Sequence, residues 1–200
     1  MRCTRRAGLL AVLAALSSGC FGPTTARPVQ LFVLAPTVPA GAPQPGGAAL
    51  RLAIGRISLP EILNRPQIVT RTGANEVRVA DFAQWAEPLE QSVPRVIAEN
   101  LARLLGTERV VVYPWPTQLA VDYRVEVAVI ELEGSDDGEA RLAARWRLLR
   151  EDGSEATPLR LSAHAERAAD ASIGAMAAAL SRTLEALSRD IADAIASSAA

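Results

Sequence analysis

The strongest periodicity lies at the C-terminal end. Ile173, Met176, Leu180, Leu184, Leu187, Ile191 and Ile195 recur at spacings of three and four, so one apolar stripe runs along a long helix. Asp170 or Ser172 supplies its N-terminal cap. Arg182, Glu185, Arg189 and Asp193 fall on the opposite side. A second stripe, Leu89, Val93, Val96, Ile97, Leu101, Leu104 and Leu105, predicts a helix from about Pro88 that Gly106 ends. Pro94 falls inside it and predicts a kink, because proline removes one helical hydrogen bond.

Between the two helices the period changes to two. Val121, Tyr123, Val125, Val127 and Val129 alternate with Asp122, Arg124 and Glu126. Leu142, Ala144, Trp146 and Leu148 alternate with Arg141, Arg145 and Arg147. Leu159, Leu161, Ala163 and Ala165 alternate with Arg160, Ser162, His164 and Glu166. Asp137-Gly138 and Asp152-Gly153 separate the three runs, and Asp-Gly is a strong hairpin signal. The pattern predicts an antiparallel meander with one apolar and one wet face, on which acidic residues of the first strand pair with arginines of the second. The third strand's leucines and alanines are assigned to the apolar face.

Upstream, Val29–Ala35 reads as a first strand and residues 36–47 as a Pro/Gly-rich loop. Leu50–Leu59 reads as a strand whose phase slips at Gly55-Arg56. Pro60–Pro66 is a stiff loop or single helical turn. Gln67–Arg71 and Glu76–Ala80 flank Gly73-Ala74-Asn75 as a hairpin, and Arg109–Tyr113 is a short strand stopped at Pro114. The fold class is α+β: an antiparallel sheet with a C-terminal strand meander, covered by two amphipathic helices.

The N-terminus breaks both periods. Arg2, Arg5 and Arg6 precede an apolar run, Leu9–Leu16, that ends in Ser17-Ser18-Gly19-Cys20. Charged start, short apolar centre and small residues make an export signal; a membrane span needs about 20 apolar residues. The ending resembles a bacterial lipobox, with Ser17 where leucine is usual. That resemblance implies an acylated Cys20, a signal over 1–19, a tether over 20–28 and one domain over 29–200. Phe21, in place of an aspartate after the cysteine, implies the outer membrane.

Composition narrows the function. All 21 basic residues are arginine; losing three with the signal leaves 18 against 22 acidic residues, a net charge of −4 that argues against nucleic acid. Cys3 leaves with the signal and Cys20 carries lipid, so the domain has no thiol. His164 is the only histidine and reads as a solvated surface residue. With one histidine and no free cysteine, a metal site has no soft ligand set. No Gly-x-Ser-x-Gly, His-Glu-x-x-His or phosphate-cradling glycine loop occurs. Asp136 and Asp137 read as a hairpin tip. The chain is expected to be no enzyme and to use no cofactor.

Interaction features are richer. Trp85 precedes Ala86-Glu87-Pro88-Leu89, Trp115 stands between two prolines, and Arg65 lies in the loop bounded by Pro60 and Pro66. Tryptophan and arginine are common interface anchors. Trp85 also suits the core, Trp146 falls on the core side of its strand, and a local cap or salt bridge would equally explain Arg65. The partner-interface candidates are Pro60, Leu63, Arg65, Pro66, Trp85, Pro88, Leu89 and Trp115.

Several segments together resemble one family: Leu34-Ala35-Pro36, Leu59–Val69, Trp85–Leu89, Tyr113-Pro114-Trp115, Trp146-Arg147-Leu148, the terminal helix and the lipobox. They are similar to the ABC-type transport auxiliary lipoproteins, the PqiC-like membrane-integrity-associated transporter subunits. Phe32 and Gln84 depart from that pattern, which often has tyrosine and arginine there. The resemblance implies an outer-membrane lipoprotein facing the periplasm, anchored through Cys20. It implies MCE-type periplasmic proteins and inner-membrane permease or ATPase components as partners, phospholipid transport as the process, and a homo-oligomer that matches a ring-shaped partner. A carrier lipoprotein with its own apolar pocket for lipid or a small molecule is the alternative.

Overall fold

The strands and helices follow the order that the periodicities predict. The computed structural model describes residues 27–39, 49–115 and 120–199. The export signal, Cys20 and the tether through residue 26 lie outside the described residues. Eight strands are described: β1 (Gln30–Phe32), β2 (Leu52–Ile54), β3 (Gln67–Gly73), β4 (Glu76–Trp85), β5 (Val110–Val112), β6 (Tyr123–Ser135), β7 (Glu139–Arg150) and β8 (Arg160–Arg167). Helix α1 (Leu89–Leu105) follows β4, and α2 (Ile173–Ala199) closes the domain.

One open sheet runs β1-β4-β3-β6-β2-β5, with β7 and β8 continuing from the other edge of β6. Strand β6 is its axis. Its start pairs with β2 (Leu52 opposite Tyr123), its end with β3 (Thr70 opposite Gly134), and its whole length with β7. The β3–β4 hairpin and the β6–β7–β8 meander are antiparallel, as expected. The sheet as a whole is mixed, because β1, β2 and β5 join it in parallel and β3 runs parallel to β6. Parallel pairing requires a crossover, and α1 carries the chain across between β4 and β5.

Local chemistry fixes the ends. Gly106 caps α1 in the left-handed region, at φ 65°, and its N–H donates to the Ala102 carbonyl. Helix α1 continues through Pro94, which is buried. The N–H of Ala175 donates to Ser172 Oγ (3.1 Å) and that of Ser172 to Asp170 Oδ1 (2.8 Å), so both proposed caps act at the start of α2. Gly138 and Gly153 hold φ near +80° in the two hairpin turns of the meander, a region that disfavours side chains.

The core lies between the helices and the apolar sheet face. Leu184, Leu187, Ile191 and Ile195 of α2 are fully buried, each stabilising the fold by about 1.5–3 kcal/mol. They meet Val125, Leu142, Trp146 and Leu148 from the meander and Val93, Ile97 and Leu101 from α1. Asn100 Nδ2 donates to Ser188 Oγ (3.5 Å), a polar tie between the two helices.

Strand β8 corrects the sequence reading. Leu159 and Leu161 are 62% and 66% exposed, while Ser162 is buried and His164 half-buried. The register explains the inversion: Leu142 pairs with His164, Ala144 with Ser162 and Trp146 with Arg160. Paired residues project on the same face. Because Leu142, Ala144 and Trp146 point at the helices, Ser162 and His164 point there too. A polar flank of α2 receives them through Asp190. His164 is therefore held under the helix and is not a solvated surface residue.

Candidate functional site

Two prolines and a short turn shape one depression, at the end of β4. Pro60 begins a single 3-10 turn over Glu61–Leu63, in which Leu63 N–H donates to the Pro60 carbonyl (2.9 Å) and Asn64 N–H to the Glu61 carbonyl (3.0 Å). The turn buries Leu63 and leaves Arg65 and Pro66 exposed. Trp85 N–H donates to the Pro66 carbonyl (2.7 Å), and Ala86 N–H to the Phe32 carbonyl (2.8 Å). These bonds hold the loop and β1 against the end of β4, where the chain turns at Pro88 into α1.

The result is a cradle of about 300 Å³, lined by Leu63, Arg65, Pro66, Trp85, Pro88 and Leu89 together with Asn64, Ala86, Glu87 and Glu90. Leu63, Trp85 and Leu89 are buried and form its floor. Arg65, Pro66, Pro88 and Glu90 are exposed and form its rim. Trp85 thus serves the core and the site at once, at 8% exposure. Behind the rim, Arg95 bonds Glu87, donates to Glu99 Oε1 (3.0 Å) and donates to the Leu34 carbonyl (3.2 Å). The hydrogen bond to Glu87, foremost, raises the Arg95 pKa above its ordinary value. This clasp fixes the helix entry to the chain leaving β1.

Six of the eight interface candidates therefore meet in one place. Pro60 stands at the head of the turn, outside the lining. Trp115 lies apart, on the helix-free face of the sheet, where its ring meets Tyr113 edge to face at 5.6 Å. Glu87 and Glu90 of the cradle were not singled out from the sequence; their position beside Pro88, at a helix entry, is the signal that marks them. A second cleft, around Trp115, gathers Arg56, Arg124 and Arg145. The alternation of the meander places Arg124 and Arg145 on its wet face, but nothing in the sequence brings Arg56 to them.

The cradle's means are an apolar floor and a charged rim. It holds no nucleophile beside a base. Among the described residues, no group of three or more histidine, cysteine or acidic side chains is gathered as a metal would require.

The model of one family, the ABC-type transport auxiliary lipoprotein component, matches residues 32–192. The chain belongs to the ABC-type transport auxiliary lipoprotein family. This match spans the cradle, the whole meander and most of α2. No curated protein matches the chain in sequence. Its fold is similar to that of an uncharacterized protein of known crystal structure, with a TM-score of 0.68 and 21% identity over 84% of this chain and 99% of that one. It is also similar to XCC0632 from Xanthomonas campestris, described under the family model DUF330, with a TM-score of 0.65 and 20% identity over 82% of this chain and 92% of that one.

Auxiliary lipoproteins of this family are non-catalytic components of ABC-type transport machinery, and this chain is accordingly no enzyme. Among the described residues, no helix is long and apolar enough to cross a membrane. A periplasmic accessory role agrees with membership of this family.

Proposed function

We propose that this auxiliary lipoprotein is the lipid-anchored, outer-membrane-side subunit of an MCE/ABC-type phospholipid transport system, and that the cradle docks the periplasmic conduit. Acylated Cys20 holds the domain at the outer membrane, facing the periplasm. An MCE-type protein occupies the cradle, and a permease and an ATPase in the inner membrane complete the system. The observation that supports this reading is the convergence of Leu63, Arg65, Pro66, Trp85, Pro88 and Leu89 on one depression in a chain of this family. An apolar floor ringed by charge has the anatomy of an interface centre, in which buried anchors carry the energy and the rim keeps water out.

The test is affinity isolation of the tagged lipoprotein from gently solubilised membranes, with the wild-type chain and an Arg65→Glu variant. The expected result is an MCE-type protein with the wild type and its loss with the variant. Isolation of the wild type with no MCE-type, permease or ATPase component contradicts the reading.

A further inference from the structure

The helix-free face of the sheet carries a second, chemically different site. Gly55 and Arg56 after β2, Tyr113 and Trp115 after β5, and residues of β6 and β7 line an open cleft of about 550 Å³, within the size range of small-molecule sites. Arg56, Arg124, Arg145 and Arg147 all line it, against one carboxylate, Glu126. Glu126 is already engaged, since Arg147 bonds it at 2.8 Å and also reaches Glu155 at 3.0 Å. Arg56, Arg124 and Arg145 have no carboxylate within salt-bridge distance among the described residues, and residues 1–26, 40–48 and 116–119 contain no aspartate or glutamate. Three guanidinium groups with no carboxylate partner among the described residues therefore share one cleft.

Two of them are held in place. The Arg56 guanidinium lies over the Tyr113 ring at 5.3 Å, and that of Arg124 over the Trp115 ring at 5.8 Å. Cation–π attraction holds each guanidinium at its ring, and arginine's planar fork of donors suits phosphate oxygens. Arg124 Nε is buried and has no hydrogen-bond partner among the described residues, an unmet donor of the kind that costs stability. Beside the cations lies an apolar strip. Leu159 lines the cleft, and Leu161 stands opposite Arg145 on the neighbouring strand. These are the two exposed leucines that the register of β8 turns outward.

We infer that this cleft binds the phosphate of an anionic amphiphile, with the phosphate among Arg56, Arg124 and Arg145 and the apolar part along Leu159 and Leu161. The site is separate from the cradle and does not rest on the docking reading. The cations select a negative headgroup; the leucines distinguish an amphiphile from a free phosphate ion.

The test uses the full-length lipoprotein purified from membranes in a nonionic detergent. Calorimetry measures binding of soluble dihexanoyl phosphatidylglycerol, dihexanoyl phosphatidylcholine, inorganic phosphate and polyglutamate. Phosphatidylglycerol is expected to bind most tightly. Arg145→Gln and Arg56→Gln, both at exposed positions, should each weaken it about tenfold, the value of one charge-assisted hydrogen bond. Arg189→Gln on the exposed side of α2 should leave it unchanged. The inference is overturned if phosphatidylglycerol does not bind, if phosphate or phosphatidylcholine binds as tightly, or if polyglutamate binds in its place. Equal loss in Arg189→Gln also overturns it, because attraction is then general to the surface.

Discussion

His164 Nε2 lies 2.8 Å from Asp190 Oδ2, so the last strand and the last helix meet through a polar seam beside their apolar contact. Ser162 Oγ donates to the same carboxylate oxygen and accepts from Trp146 Nε1 at 2.9 Å. Asp190→Ala removes the shared acceptor and leaves two partly buried groups unmet. It should destabilise the domain by about 1–3 kcal/mol, measured by denaturant unfolding. A loss near zero would show that the seam is incidental to the packing of α2.

The opposite face of β8 yields a complementary prediction. Leu161→Ser should change stability by no more than about 0.5 kcal/mol, because the side chain packs against little. A loss of several kcal/mol would restore the face assignment that simple alternation suggests.

That reversal shows where the sequence was legible. Both helices, the two Asp-Gly hairpins and the faces of β6 and β7 were readable, because their apolar sets are large and strictly periodic. Strand β8 was not: its small alternating set, Leu161, Ala163 and Ala165, has the right period but the wrong phase. Only the pairing of Ala144 with Ser162 and Leu142 with His164 decides which face is in, and register is a tertiary property. The parallel placement of β1, β2 and β5 was hidden for the same reason. The cradle was partly legible through Trp85, Arg65 and their prolines. The gathering of Arg56 with Arg124 and Arg145 depends on contacts between residues distant in sequence.

Asp122 ties the start of β6 to β2. Its carboxylate accepts from the Arg51 backbone N–H (2.7 Å) and from Arg51 Nη2 (2.9 Å). The Arg51 side-chain hydrogen bond is the main reason that the Asp122 pKa lies below its ordinary value. A carboxyl group whose pKa falls on folding adds stability above its unfolded pKa, about 3.9. That stability is lost as pH falls through the lower folded value. Asp122→Asn should therefore cost about 1 kcal/mol or less at neutral pH, since both side chains are over a third exposed and water screens the pair. The gap between variant and wild type should close below about pH 4, as followed by thermal unfolding across pH. A gap that widens in acid would contradict the sign.

The anchor is tested by Cys20→Ser. Each buried CH₂ of an acyl chain contributes about 0.8 kcal/mol to membrane binding, so loss of the chains should abolish stable attachment. Fractionation of cells should then show the variant absent from the outer membrane. Retention there at the wild-type level would contradict anchoring through Cys20.

The docking claim is tested most directly by site-specific photo-cross-linking. A photoreactive residue at Arg65 sits on the cradle rim; one at Asn75 sits at the far tip of the β3–β4 hairpin, about 20 Å along the strands. The prediction is a cross-link from position 65 to an MCE-type periplasmic protein and none from position 75. Equal labelling from both positions, or none from position 65, contradicts the cradle as the docking surface.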